Sequence, residues 1–320
     1  MRPLPAPVAL SLVVLGGVAS AAQGVVNSEL GERAGGPVLG AVVNNLGGSL
    51  LVLVGLLAVP SMRSGLAALR RAGLPWWAYL GGLGGAAIVV IGTYVVPVLG
   101  VAVFTIAQVA GGSLGGLAVD RVGLSPVGRL PLTAPRVAGG LLGIAAVTLA
   151  QLGRPVGNLA VGLVGLAVAG GLAVALQSAL NGRVSAAGST AAGLAVNFAV
   201  GTPVILVVAA LVGAFAARPT WPGQWWLYIG GLLGVGIVLA LLVGVRAAGV
   251  LRTGLALVAG QLGGALVLDV VLPGGAGARW PVLVGAGLTA VAVLVAGVRR
   301  RAPVRVAAER EPEPDGRLVG

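Results

Sequence analysis

Ten apolar stretches, separated by charges, prolines and turn residues, run along this chain at 7–27, 37–59, 76–96, 98–118, 134–152, 157–180, 190–214, 225–245, 251–272 and 281–298. Each is about long enough to cross a bilayer core that takes ~20 helical residues, the fifth and last being the shortest. The runs are continuous and lack period-2 alternation, which predicts helices rather than barrel strands. Pro97 alone divides the third stretch from the fourth, so a helix boundary is expected there. The first stretch, with Arg2 before it and Ala19-Ser20-Ala21 near its end, has the outline of a secretory signal. An equivalent stretch deep in the chain argues instead for a retained first helix.

That equivalent stretch belongs to an internal repeat. Gly16-Gly17-x-Ala19-x-Ala21-x-Gln23-x-x-x-Asn27 returns as Gly170-Gly171-x-Ala173-x-Ala175-x-Gln177-x-x-x-Asn181. Matched polar residues inside apolar repeats point to a duplicated transporter architecture. Further pairs follow. Asn44 and Asn197 sit in the second helices, with Gly48 and Gly201 four residues on, and Trp76-Trp77-x-Tyr79 matches Trp225-Trp226-x-Tyr228. The third helices carry Gly81/Gly85 and Gly230/Gly234, the fourth Gly111/Gly115 and Gly260/Gly264, a spacing that suits close helix packing. The aromatics read as interfacial anchors.

Composition agrees with the pattern. The chain is 58% hydrophobic and 9% charged, with mean hydropathy +1.05, against about 25% charged for a soluble domain. It cannot cover itself with a water-facing surface, so it is read as an all-α integral membrane protein. Its 57 glycines follow no Gly-X-Y period. All twenty basic residues are Arg, and His and Cys are absent. This excludes imidazole catalysis and ligation by His or thiolate. There is no phosphate loop of the Gly-x-x-x-x-Gly-Lys-Ser/Thr type, so ATP does not power the chain directly. No enzyme activity, metal or cofactor is expected. The Arg-only, Ala/Gly/Val-rich vocabulary suggests a high-GC bacterial genome.

The formal charge of +12 comes from dispersed arginines rather than a basic patch with aromatics, which argues against nucleic acid. Their distribution orients the chain. With alternating spans, sixteen arginines fall on one side, against Arg33, Arg154, Arg218 and Arg279 on the other. The positive-inside rule then puts both termini in the cytoplasm, in a multi-pass protein of the bacterial inner membrane. Five spans per copy is an odd number, so the copies enter the membrane from opposite sides. The expected architecture is ten transmembrane helices as two inverted five-helix repeats, 1–153 and 154–298. The segment 299–320, mixed in charge and holding Pro312 and Pro314, is expected to be a disordered cytoplasmic tail.

Residues four apart share a helix face, so Gln23 and Asn27 form one stripe and Gln177 and Asn181 another. Amides that donate and accept several hydrogen bonds suit a polar solute, or they join helix to helix; the sequence leaves both readings open. Asn44 and Asn197, nearer mid-span, are the preferred solute-binding candidates, joined by Gln23, Gln177, Asn27 and Asn181. Asp120 and Asp269 end the fourth helices and are candidates for ion coupling, expected near opposite interfaces where water solvates them. Glu29 and Glu32 have no second-half counterparts and rank below them.

Gln-x-x-x-Asn closing a repeat's first helix, an Asn-bearing second helix with a Gly-rich end, and Gly260-Gln261 with Asp269 together resemble the YdcZ-type family of inner-membrane exporters. That family is a branch of the drug/metabolite transporter superfamily. The resemblance covers about residues 8–298 in a fused two-copy form, the second half being closer, since Gly112 stands where Gln261 stands and Gln108 lies a turn earlier. It implies a ten-helix inverted-repeat fold and alternating access. The expectation is a secondary transporter in the plasma membrane that exports a small metabolite or drug-like solute between its halves, with lipid bilayer and a coupling ion as its other partners. The alternative is a lipid-handling or structural membrane protein, whose amides would face lipid-accessible grooves.

Overall fold

The computed structural model describes residues 4–153, 160–271 and 280–298, apart from the side chains of Thr93, Val101, Ala102 and Asp269. The tail 299–320 lies outside the described residues. Within them the chain is helical: α1 (Ala6–Ala34), α2 (Pro37–Ala58), α3 (Pro60–Arg71), α4 (Leu83–Val122), α5 (Ala134–Ala150), α6 (Val161–Ala187), α7 (Thr190–Leu211), α8 (Gly230–Ala248), α9 (Val250–Val271) and α10 (Trp280–Ala296). Short 3-10 helices at Trp76–Gly82 and Trp225–Tyr228 lead into α4 and α8.

Local chemistry explains the boundaries. Prolines occupy the first turn of α1, α2, α3 and α5, where a missing N–H costs no helical bond. Ser189 caps α7 by accepting the Ala192 N–H at 3.0 Å. α1 ends at Gly35, at φ 105°, with the N–H groups of Gly35 and Gly36 both returned to the Gly31 carbonyl. α1 and α6 each continue well past their Gln-x-x-x-Asn stripe, so these amides are interior to their helices.

The boundary expected at Pro97 lies elsewhere. The helix runs through Pro97 and breaks at Gly100 (φ 79°, ψ 156°), and α8 gives way to α9 at Gly249 (φ 81°, ψ 174°) in the same way. Positive φ with extended ψ is open to glycine and closed to residues with a Cβ, which makes this pair of glycines the matched hinge between third and fourth helices.

Seven helices are long and apolar enough to cross a membrane, or eight if the bent pair Trp76–Gly92 and Tyr94–Gly100 counts as one span. α5 and α10, at 17 residues each, are shorter than the ~20 a span needs. The outer surface is apolar, with Val161, Leu211, Leu57 and Leu294 at least 70% exposed. Such a surface suits hydrocarbon rather than water. α3 is the exception, a short helix carrying Arg63, Arg70 and Arg71 on its exposed face and seating Gly65 and Leu69 inward.

Packing crosses between the two repeated segments. α1 lies on α8 and α9, while α6 lies on both arms of α4, and α5 pairs with α10. Glycines make the two central crossings close. A Cβ at Gly17 would strike the Leu257 carbonyl and one at Gly260 the Val14 carbonyl. At the matched crossing, Gly171 faces the Gln108 carbonyl and Gly111 the Val168 carbonyl. The small-xxx-small positions of the fourth helices thus let backbones touch, where dispersion rather than hydrophobic exclusion holds helices together.

Candidate functional site

The six amides meet in two matched clusters. Gln23 Nε2 donates to Asn44 Oδ1 at 2.8 Å and to the Gly230 carbonyl at 2.9 Å. In the other cluster Asn197 Oδ1 accepts from Gln177 Nε2 at 3.1 Å and from Asn181 Nδ2 at 2.8 Å. The Gln-x-x-x-Asn stripes run along the Gly-x-x-x-Gly rows of the facing third helices. A Cβ at Gly230 would collide with Asn27 Oδ1 and one at Gly234 would crowd Gln23 Nε2. Likewise Gly81 meets Asn181 Oδ1, and Gly84 and Gly85 meet Gln177. Two i,i+4 patterns from different parts of the chain interlock, each amide stripe filling the groove opened by missing side chains.

Cation–π contacts accompany these seams: Arg33 lies 5.9 Å over the Trp226 ring and Arg183 lies 5.5 Å over Trp77. The first Trp of each pair, Trp76 and Trp225, is about three-quarters exposed (75% and 77%), as an interfacial anchor would be.

Asp120 is not solvated, contrary to expectation. It is fully buried and its Oδ2 accepts from Arg136 Nη2 at 2.6 Å. Oδ1 accepts the Val250 N–H at 2.9 Å and Oδ2 the Leu251 N–H at 3.3 Å. The carboxylate therefore caps α9 just after the Gly249 hinge, where exposed N–H groups and the helix dipole favour an anion. Arg136, sixteen residues on and nearly as buried, supplies the compensating charge. The side chain of Asp269 lies outside the described residues.

None of the six amides lines the largest cavity. That cavity, of about 1010 Å³, is enclosed by faces of α1, α4, α5, α6, α9 and α10, so both repeats contribute walls. Valine, leucine and glycine make most of its surface, interrupted by Ser20, Ser178, Gln108, Gln151, Thr253 and Gln261. Gln261 Nε2 donates to Ser20 Oγ at 2.9 Å across the α1–α9 crossing. Glu29 and Glu32, ranked low from sequence, also line it, Glu29 being paired with Arg33. Gln151 was not singled out from sequence. Its only signal was an isolated amide at the end of an apolar stretch. Mostly apolar walls with a few convergent polar groups are what a small-molecule site requires. Among the described residues no three His, Cys, Asp or Glu side chains come together as metal ligands would.

Comparison with known proteins fits this architecture. No curated protein matches the chain. A solved structure described as "Crystal structure of protein" matches with a TM-score of 0.67 at 18% identity, covering 91% of this chain and 96% of its own; at that identity the likeness is one of fold. A family model described as "Putative inner membrane exporter, YdcZ" matches residues 8–149 and again 162–299. Those two segments are the ones whose amide stripes and glycine rows interlock, and the chain belongs to this inner-membrane exporter family of the drug/metabolite transporter type, in a two-copy form.

Proposed function

We propose that the chain is a secondary transporter that exports a small metabolite or drug-like solute by alternating access. The observation that carries this reading is the cavity of about 1010 Å³ walled by helices of both repeats. Ten membrane helices in two inverted five-helix repeats, 1–153 and 154–298, with both termini cytoplasmic, account for the matched hinges at Gly100 and Gly249 and for the arginine distribution.

In this reading the solute binds in the cavity, and the amides Asn44, Asn197, Gln23, Gln177, Asn27 and Asn181 join the repeats along seams that must shear or rock. The amides lie between helices rather than in lipid-facing grooves, which favours a carrier over the lipid-handling alternative. Asp120 ties α4 and α5 to the start of α9 beside Val250 and Leu251, which also line the cavity. On the arginine-rich side this closes the cavity, while Glu29 and Glu32 mark the opposite end. Exchange of access then requires the Asp120 contacts with α9 to open.

The test is a thermal-shift screen of purified protein against a broad metabolite and antimicrobial panel, with Gly254→Trp as comparison. Gly254 lines the cavity and has no atom near its Cβ direction, so the indole fills the space without displacing backbone. Ligands that stabilise the wild type and not G254W, and that then move in proteoliposome flux assays, support the reading. Ligands bound equally by both proteins would sink it.

A further inference from the structure

The cavity wall has an electrostatic character that the chain as a whole lacks. With twenty arginines and a formal charge of +12, the protein nevertheless presents no arginine among the described residues that line this space. The ionisable side chains there are Glu29 and Glu32. Glu29 shares its charge with Arg33, whereas Glu32 is exposed and has no ion-pair partner among the described residues.

A second observation is independent of those carboxylates. Gln151, which ends α5, is 9% exposed and lines the same cavity, and its Oε1 is buried without a hydrogen-bond donor. Buried acceptors are normally satisfied, so an orphaned carbonyl on a cavity wall marks where a donor from outside the protein belongs. Gln261, the other wall amide with a defined partner, spends an N–H on Ser20. The wall is thus rich in acceptors and negative charge, while Val109, Val258 and Leu262 offer an apolar lining.

Building on the transporter reading, we infer that the cavity takes an amphipathic organic ammonium: an apolar body bearing N–H donors, one received by Gln151 Oε1, with Glu29 and Glu32 supplying the counter-charge. A carboxylate-bearing solute would find no cation on this wall, and a quaternary ammonium would satisfy the carboxylates but not Gln151.

Four probes of one shape separate these terms: 4-phenylbutylammonium, its N,N,N-trimethyl analogue, 4-phenylbutanol and 4-phenylbutyrate, titrated calorimetrically into full-length purified protein. The primary ammonium should bind best, with the trimethyl analogue about tenfold weaker, the worth of one hydrogen bond to a charged donor. The alcohol should be weaker still and the carboxylate silent. Gln151→Met should bring the two cations to equal affinity, and Gln151→Glu should strengthen both. The Glu29→Gln/Glu32→Gln double variant should weaken both cations and flatten the dependence on salt. Loss of binding in G254W locates the probes in the cavity.

The proposal is overturned if the alcohol or carboxylate binds as well as the ammonium, if Q151M keeps the wild-type preference while Q151E strengthens neither cation, or if no probe binds. Probes that bind in the wrong order but vanish in G254W would leave the cavity as the solute site and change only its chemistry. Binding that survives G254W overturns this inference, and if the screened ligands survive it too, the transporter reading fails with it.

Discussion

Asp120 and Val250, 130 residues apart, are joined by a hydrogen bond of 2.9 Å in which the backbone N–H at the start of α9 donates to the buried carboxylate. The same carboxylate holds Arg136, so α4, α5 and α9 converge on one charge. Removing one member of a buried, hydrogen-bonded pair strands the other and costs about 3–5 kcal/mol. Asp120→Ala and Arg136→Ala should each lower the unfolding temperature of purified protein sharply. The double variant should lose less than the two losses combined, because the groups share one interaction. Additive losses would show that the pair acts as two separate packing residues.

Backbone contact at the central crossings makes their glycines sensitive in a way that residue type alone does not reveal. Gly260→Val and Gly111→Val place a side chain against the carbonyls of Val14 and Val168 and should destabilise by at least about 1–3 kcal/mol, the usual cost of overpacking. Gly263→Ala, with open space at its Cβ direction, should be near neutral. Thermal unfolding of the three proteins in one detergent checks the contrast, and equal stability would contradict the crossing geometry.

The amide seams predict a separation between stability and binding. An interhelical hydrogen bond in a membrane is worth about 0.6 kcal/mol on average. Gln23→Leu and Gln177→Leu should therefore lower the unfolding temperature modestly while leaving the cavity's ligand affinity within about twofold. A selective loss of ligand affinity at unchanged stability would return these amides to the solute site.

Opposite insertion of the two repeats has a direct chemical readout, because the chain contains no cysteine. Ala68 on α3 and Ala217 after α7 are exposed and follow the second helices of the two repeats. Single cysteines at these positions should react with a membrane-impermeant maleimide from opposite faces of intact cells, the former only after permeabilisation. Labelling of both from the same face would exclude the inverted arrangement.

What the sequence could reveal follows from the range of each interaction. The Gln-x-x-x-Asn and Gly-x-x-x-Gly rows were legible because each is a periodic pattern on one helix, and their duplication exposed the two copies. Their mutual fit was not, since it joins residues such as Gln23 and Gly230 across the repeats. Pro97 drew attention as a breaker, but a proline inside a helix loses one bond, whereas Gly100 adopts a backbone conformation that helices cannot contain. The burial of Asp120 depended on Arg136 and Val250 arriving from other elements. The cavity stayed hidden because its walls are Val, Leu, Gly and Ser, residue types spread through every span, and its polar members carry no shared spacing.

The exchange of packing between repeats has a consequence for the protein's assembly. Because α1 rests on α8 and α9 and α6 rests on α4, neither five-helix segment can bury its own amide stripe. Each behaves as a subunit of an obligate heterodimer whose connection happens to be covalent. Cut between α5 and α6, the two fragments should be recovered together when made in the same cell, and each alone should be degraded, its unsatisfied Gln and Asn side chains left facing lipid.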